Sequence, residues 1–228
     1  TAPGNFTTNG DIFIIRAGTS ATLSTNWTIG NSNNVTLTIE SGATLNTSTR
    51  TVTLRSHFVN NGGTVSGTGP FIITGTLASQ SIGGFTTTGT VSMTKSSGTV
   101  TFTGNVNGGA FTINGSSGVL NLGSGLTHTF TGLWTRTAGT LNLGSSTLRF
   151  SRTGTVVSGT GGTFTASTGT VNYIGAAQTI VALTYNNLTL SGSGGKTFPT
   201  GTTTVNGVLS IENGASANTF TGGLSYGA

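Results

Sequence analysis

Asp11, Glu40 and Glu212 are the only carboxylate side chains in the 228 residues, and His57 and His128 are the only imidazoles. Glycosidic or general acid–base chemistry needs two such groups held face to face. Asp11 and Glu40 are near enough in sequence to meet on adjoining turns of a repeat, whereas Glu212 stands far along the chain. The set reads as one turn aspartate and two surface glutamates. A metal site needs three or four ligands, and two distant histidines with no cysteine do not supply them. Serine is abundant, but no G-x-S-x-G elbow is present to present a nucleophile. His128, in "LTHTF", therefore reads as a solvent-facing strand residue. The glycine-rich "GSGG" at 192–195 lacks the Lys-Ser/Thr ending of a phosphate loop and reads as a turn. The expectation is no enzyme, no metal and no cofactor.

Aromatic and basic residues give equally little. Trp27 and Trp134 are far apart in sequence and make no sugar-stacking platform, so core packing is the better reading for both. The formal net charge is +5, from eight Lys and Arg against three acids. The cations are scattered, with no basic run interleaved with aromatics, so no nucleic-acid partner is expected. No apolar stretch approaches the length of a membrane-spanning helix. The opening "TAPGNF" is small, polar and without Met, like a mature end left by signal cleavage or a piece of a larger surface protein. An extracellular or cell-surface location is expected.

The elements that hold these residues are strands. Only 5% of residues are charged and 39 are Gly, while Thr, Val and Ile abound, which suits a folded all-β chain. A short phrase recurs: Gly, any residue, apolar, small polar, apolar. It reads "GTVSM" at 89, "GTVTF" at 98, "GVLNL" at 118, "GTLNL" at 139, "GTVNY" at 169 and "GVLSI" at 207. Within each phrase the apolar residues alternate, so Val100 and Phe102, Leu120 and Leu122, Leu141 and Leu143, and Val171 and Tyr173 point one way. Thr101, Asn121, Asn142 and Asn172 point the other way. No segment keeps a helical period. Hairpin-paired sandwiches do not need such a repeat, whereas a solenoid does. The fold class expected is all-β, a single right-handed parallel β-solenoid of roughly ten coils over residues 1–228, with about 20–24 residues per coil and essentially no α-helix. Residues 1–45 form an opening, cap-like coil, and 180–228 the terminal coils. Asn columns are expected to form amide ladders. Thr-x-Thr pairs at 99–103, 127–131, 163–165 and 219–221 fall at no single coil position, which weakens an ice-binding reading.

"GTVNYIGAAQTIVALTYNNLTLSGSGGKTFPTGTTTVNGVLSI", residues 169–211, resembles repeats of large secreted bacterial surface and adhesin-like β-helical proteins. The opening "GDIFIIRAGTSATLSTNWTIGNSNNVTLTIESGATL" is similar to the start of such a stalk, and the middle matches in style. The resemblance implies an extracellular structural or adhesive role and brings no catalytic residue with it.

A solenoid has two open ends of unpaired strand groups, and repeat proteins need polar caps to stay single. An end without a cap accepts a second copy, and a head-to-tail contact that does not close makes a filament. The expectation is a structural subunit of an extracellular filament or sheath, with itself as partner and surface polysaccharide as a second one. The joint would lie in residues 1–16 and 208–228, through Ile12, Phe13, Ile14, Ile15, Leu209, Ile211, Phe220, Leu224 and Tyr226. The alternative is a monomeric adhesin or stalk module that binds carbohydrate or ice through a Thr/Asn-rich face.

Overall fold

A computed structural model describes residues 5–6, 8–31, 33–220 and 222–226. Within them are 31 strands and no helix, and every strand pairing is parallel. Strands consecutive in sequence fall on three successive faces and pair with the strand three steps on. The chain is a β-solenoid of ten full coils, with two strands of an eleventh, Ala215–Phe220 and Leu224–Tyr226. The first face starts at Asn5–Phe6 and Trp27–Ile29, the second at Ile12–Ile15 and Thr36–Ile39, the third at Ser20–Thr22 and Thr44–Asn46. At Phe111–Asn121 and Trp134–Asn142 one strand runs around a corner and serves two faces.

Register partners on neighbouring coils are as few as 17 residues apart (Thr170, Asn187) and as many as 25 (Trp27, Val52), wider than the 20–24 anticipated from the phrase spacing. The recurring phrase explains why. It marks a strand rather than a face: Val91–Met93 lies on the first face, Thr99–Phe102 on the second, and Thr170–Tyr173 and Leu209–Ile211 on the third. The long step from 139 to 169 is one coil plus a change of face.

Alternation fills the interior. On the first face, Trp27, Val52, Phe71, Val91, Phe111, Trp134 and Val157 stand in one column. Beside them Ile29, Leu54, Ile73, Met93 and Ile113 stand in another, which Arg136 continues. All of the aliphatic members of that second column are buried. Aromatic rings touch through the middle of the rod: Phe111 and Phe130 have centroids 4.2 Å apart, and Trp134 and Phe150 5.4 Å. Burying a side chain of this size stabilises by about 1.5–3 kcal/mol. The pooled columns therefore give singly spaced apolar residues a continuous core. Trp27 and Trp134 are both in it.

Turns are set by glycine and asparagine. Asn121 and Asn142 are register partners, yet their amides form no ladder with each other. Each Oδ1 accepts the backbone N–H two residues on, from Gly123 and Gly144, closing its own corner. These glycines sit at φ 86° and 58°, where a side chain would be strained. The local ring closes more easily than a bond across the rung, so the expected amide ladder is replaced by repeated corner turns.

Candidate functional site

None of the chemistry-bearing residues assembles into a centre. Glu40 is taken by Arg16, at 2.7 Å, and by the Ala17 N–H, at 3.0 Å. Those two partners, the backbone donor first, hold its carboxyl below the usual range. Asp11 and Glu212 are exposed at opposite ends. Among the described residues no three His, Asp or Glu side chains gather as a metal would require. His57 Nδ1 accepts the Ser81 N–H across one coil. His128 differs from its sequence reading: it faces inward and is fully buried. The strand Thr127–Phe130 alternates with His128 and Phe130 inside and the two threonines outside. Its Nδ1 accepts the Val106 N–H at 3.0 Å, and its Nε2 is 2.9 Å from the Leu122 carbonyl. Those two bonds offset the cost of burying an imidazole, which a composition count does not reveal. Desolvation pushes its pKa down, so the ring is neutral, with the proton on Nε2.

Three of the eight cations are also inside. Lys95 and Lys196 are fully buried, and Arg136 is 7% exposed with its guanidinium carbon 5.2 Å from the Trp134 ring centroid. Lys95 Nζ donates to the carbonyls of Gly75 and Leu77 and to Gln80 Oε1; Lys196 Nζ donates to those of Gly175 and Ala176 and to Gln178 Oε1. Each glutamine amide donates to two carbonyls of the preceding coil, Leu54 and Ser56 for Gln80, Phe150 and Arg152 for Gln178. The sequence signal for this pair is "ASQSI" and "AAQTI", each followed by a lone lysine. With these cations internal, the surface carries five arginines against three acids.

Outside, the rows are small and polar. Ser81, Thr101, Asn121, Asn142 and Thr165 form one column on the second face, one residue per coil. Thr99 and Thr163 share the column beside it with Val119 and Thr140. Two of the Thr-x-Thr pairs therefore do occupy one coil position, contrary to the sequence reading, while Thr127 and Thr129 stand on the third face. The pairs at 99–101 and 163–165 are separated by coils that place Val, Thr and Asn there. On the third face Thr64–Ser66 and Phe85–Thr86 are not ladder-bonded, and Asn60 Nδ2 bridges them by donating to the carbonyls of Gly63 and Gly84. A shallow groove of about 330 Å³ lies there.

The ends carry the remaining feature. Among the described residues, Ile12, Val208, Ile211, Leu224 and Tyr226 are the exposed large hydrophobic residues, and all lie in the first or the last two coils. Leu209 and Ile211 continue the buried columns of Leu188 and Leu190; Leu224 and Tyr226 continue those of Thr203 and Val205. They point along the core and are uncovered because no rung lies over them within the described residues. At the other end Phe13 and Ile15 head the columns of Leu37 and Ile39, Phe13 half-buried and Ile15 buried. Ile12 and Ile14 instead pair with Thr36 and Thr38 and face outward. Phe220 belongs to Ala215–Phe220, opposite Phe198, and its side chain lies outside what the structure describes. So do residues 1–4, 7, 221, 227 and 228 of the anticipated joint. Among the described residues nothing pairs with the outer edges of Asn5–Phe6, Ile12–Ile15 and Ser20–Thr22, or of Leu209–Ile211, Ala215–Phe220 and Leu224–Tyr226.

Fold and site together define a β-solenoid repeat protein with a closed interior. No family model, no curated protein and no solved structure matches the chain.

Proposed function

We propose that the chain is a structural subunit that assembles head to tail, through its open solenoid ends, into an extracellular filament or sheath. The observation that carries this reading is that Ile211, Leu224 and Tyr226 are exposed on strands whose outer edges pair with nothing among the described residues. Unpaired strand edges are templates for another chain, and a soluble monomer manages them with caps, charges or bulges. Here the terminal strands carry Leu224, Tyr226 and Ile211 instead, with Glu212 the one acid beside them. A weakly charged surface offers little repulsion to a second copy. The likeness of residues 169–211 to secreted adhesin-like repeats supports the location and nothing finer.

Negative-stain microscopy of the purified 228-residue chain tests this. Filaments with an axial repeat near the length of ten coils, about 48 Å at the usual strand spacing, are expected. Tyr226→Asp and Ile211→Lys should leave short rods of unchanged thermal stability. Discrete rods from the unaltered chain at all concentrations sink the proposal. The second reading, a monomeric module gripping carbohydrate or ice, is favoured by the Ser81–Thr101–Asn121–Asn142–Thr165 column. It predicts those same discrete rods together with retention on a polysaccharide or ice surface.

A further inference from the structure

We propose that the trough at the seam between Thr64–Ser66 and Phe85–Thr86 is a binding site for a neutral saccharide. The seam lies between the third and fourth coils, inside the rod's length, so the site does not depend on how copies of the chain meet.

The third face is not one sheet. It divides into Ser20–Thr22 with Thr44–Asn46 and Thr64–Ser66, then Phe85–Thr86 with Val106–Asn107, then the run that starts at Thr127–Phe130. The first and second faces stay paired through the same coils. At the later seam, side chains stand in for the ladder. Asn105 Oδ1 accepts the Thr127 N–H and Asn107 Oδ1 the Thr129 N–H, both at 2.9 Å, while His128 Nδ1 accepts that of Val106. At the earlier seam Asn60 does this alone, its Nδ2 donating to the Gly63 and Gly84 carbonyls at 3.1 and 2.7 Å. Thr64 N–H is spent on Ala43 of the coil before, and Phe85 N–H on Asn105 of the coil after. Alternate residues of a parallel strand turn their backbone groups to opposite sides. Val65 and Thr86 therefore turn theirs into the seam, where no ladder joins the two strands.

Two hollows, of about 330 and about 430 Å³, share Asn60 and Gly84 and make one trough from the second face around the corner onto the third. Five glycines line it without side chains. Its side chains include Asn61, Thr64, Thr86, Thr103 and Asn105, all exposed. Among the described residues Thr64 Oγ1 and Asn105 Nδ2 have no partner. Thr86 Oγ1 accepts from Asn107 Nδ2 at 3.2 Å and keeps its own proton to give.

These groups select the ligand. No Asp, Glu, Lys, Arg or His lines the trough, so nothing there balances an ionic ligand. Phe85, the one aromatic lining residue, is buried and stacked on Phe71 at 4.1 Å, so no ring face is offered to an apolar ligand. An added peptide strand does not fit. One amide nitrogen reaches carbonyls on both sides of the seam, whereas a rung between them needs twice the usual spacing of about 4.8 Å. Amide, hydroxyl and backbone groups side by side match a molecule dense in hydroxyls, each of them donor and acceptor at once. The volume is that of a small-ligand site.

Titration of the purified chain with maltotriose, cellotriose, mannotriose and chitotriose, and with sialyllactose as the charged comparison, tests this. At least one neutral trisaccharide should bind, and sialyllactose should not. Thr64→Val deletes one hydroxyl and should weaken binding about fivefold, the worth of one neutral hydrogen bond. Thr86→Tyr fills the trough and should abolish binding. Both residues are exposed, so melting temperatures should not move. Thr101→Ala, on the second-face column, should bind as the unaltered chain does. The site is overturned by a chain that binds no trisaccharide at millimolar concentration, by equal binding of sialyllactose, or by binding that survives Thr86→Tyr. Filament formation is scored separately by microscopy, and its failure leaves this site standing.

Discussion

Lys95 Nζ stands 3.2 Å from Gln80 Oε1 inside the rod, with neither residue exposed and no carboxylate in contact. Lys196 and Gln178 repeat the relation at 2.9 Å, five coils further on. Each ammonium is held by neutral oxygens only, two carbonyls and one amide, and each amide ties back to the coil before it. The device spans neighbouring coils at a corner where the ladder alone would leave carbonyls unpaired. It also keeps two positive charges where burial penalises them.

That penalty has a pH signature. Desolvation holds the pKa of both lysines below 10.5 in the folded chain. Between the lowered value and 10.5 the unfolded chain binds more protons, so stability rises with pH across that window. Tyr173 works the other way. Burial raises its pKa to about 12, so above about pH 10 the folded chain holds the proton longer and stability falls. Urea midpoints at low protein concentration should climb as the pH approaches 10 and drop at higher pH. Lys95→Met with Lys196→Met should flatten the climb, and Tyr173→Phe should soften the drop. A midpoint that declines steadily from pH 7 contradicts the assignment.

Removing both members of the pair should cost less than the two single losses added together. Gln80→Leu leaves a buried ammonium short of an acceptor and the Leu54 and Ser56 carbonyls without the amide donor. A loss of at least about 2 kcal/mol is expected, the range for stranding a charged donor. Lys95→Met alone leaves Gln80 Oε1 and two carbonyls unpaired and should also destabilise. The double variant should lose less than the sum of the two, a coupling that chemical denaturation resolves in a mutant cycle. Simple additivity would mean that the two side chains do not act together.

Acid should act through His128. Its Nδ1 accepts the Val106 N–H, so a second ring proton has no acceptor. With the folded pKa below 6.5, the unfolded chain binds more protons between that value and 6.5, and stability falls as pH drops through the window. His128→Gln can keep both bonds, accepting from Val106 and donating to Leu122, while losing the titration. Melting temperatures measured from pH 7.5 to 5 should fall less steeply for the variant. Parallel slopes would place the acid sensitivity elsewhere.

The period-two alternation of Val100 and Phe102, or Leu141 and Leu143, was enough to read strands, an inward side and a stacked repeat, because alternation is a local property. Which face each phrase occupies was not readable, since "GTVTF" and "GTVNY" differ little while their strands stand on different faces. The face is set by how many residues each corner consumes. Lys95 and Lys196 were invisible for another reason: a lysine is buried only when carbonyls and an amide from other coils converge on it, and those lie up to 21 residues away. At the ends, the apolar character of Ile211 and Tyr226 was plain in sequence, but the distinction between inward Phe13 and outward Ile12 needed the register.

Corner glycines give the last test, because two of them separate backbone conformation from space. Gly18 has φ 74° and nothing within 4 Å of where a Cβ would stand. Gly139 has φ 82°, and a Cβ there would lie 2.3 Å from the Gly115 carbonyl oxygen of the neighbouring coil. Gly18→Ala should therefore cost only the left-handed strain, about 1–2 kcal/mol. Gly139→Ala carries the same strain and must also push two coils apart at a backbone atom that cannot rotate away. Its loss should exceed that of Gly18→Ala by a clear margin in urea denaturation. It should also speed hydrogen exchange at the ladder between Phe111–Asn121 and Trp134–Asn142, while the Gly18 variant leaves that ladder unchanged. Equal losses at the two positions would mean that the coils are not packed backbone to backbone at this corner.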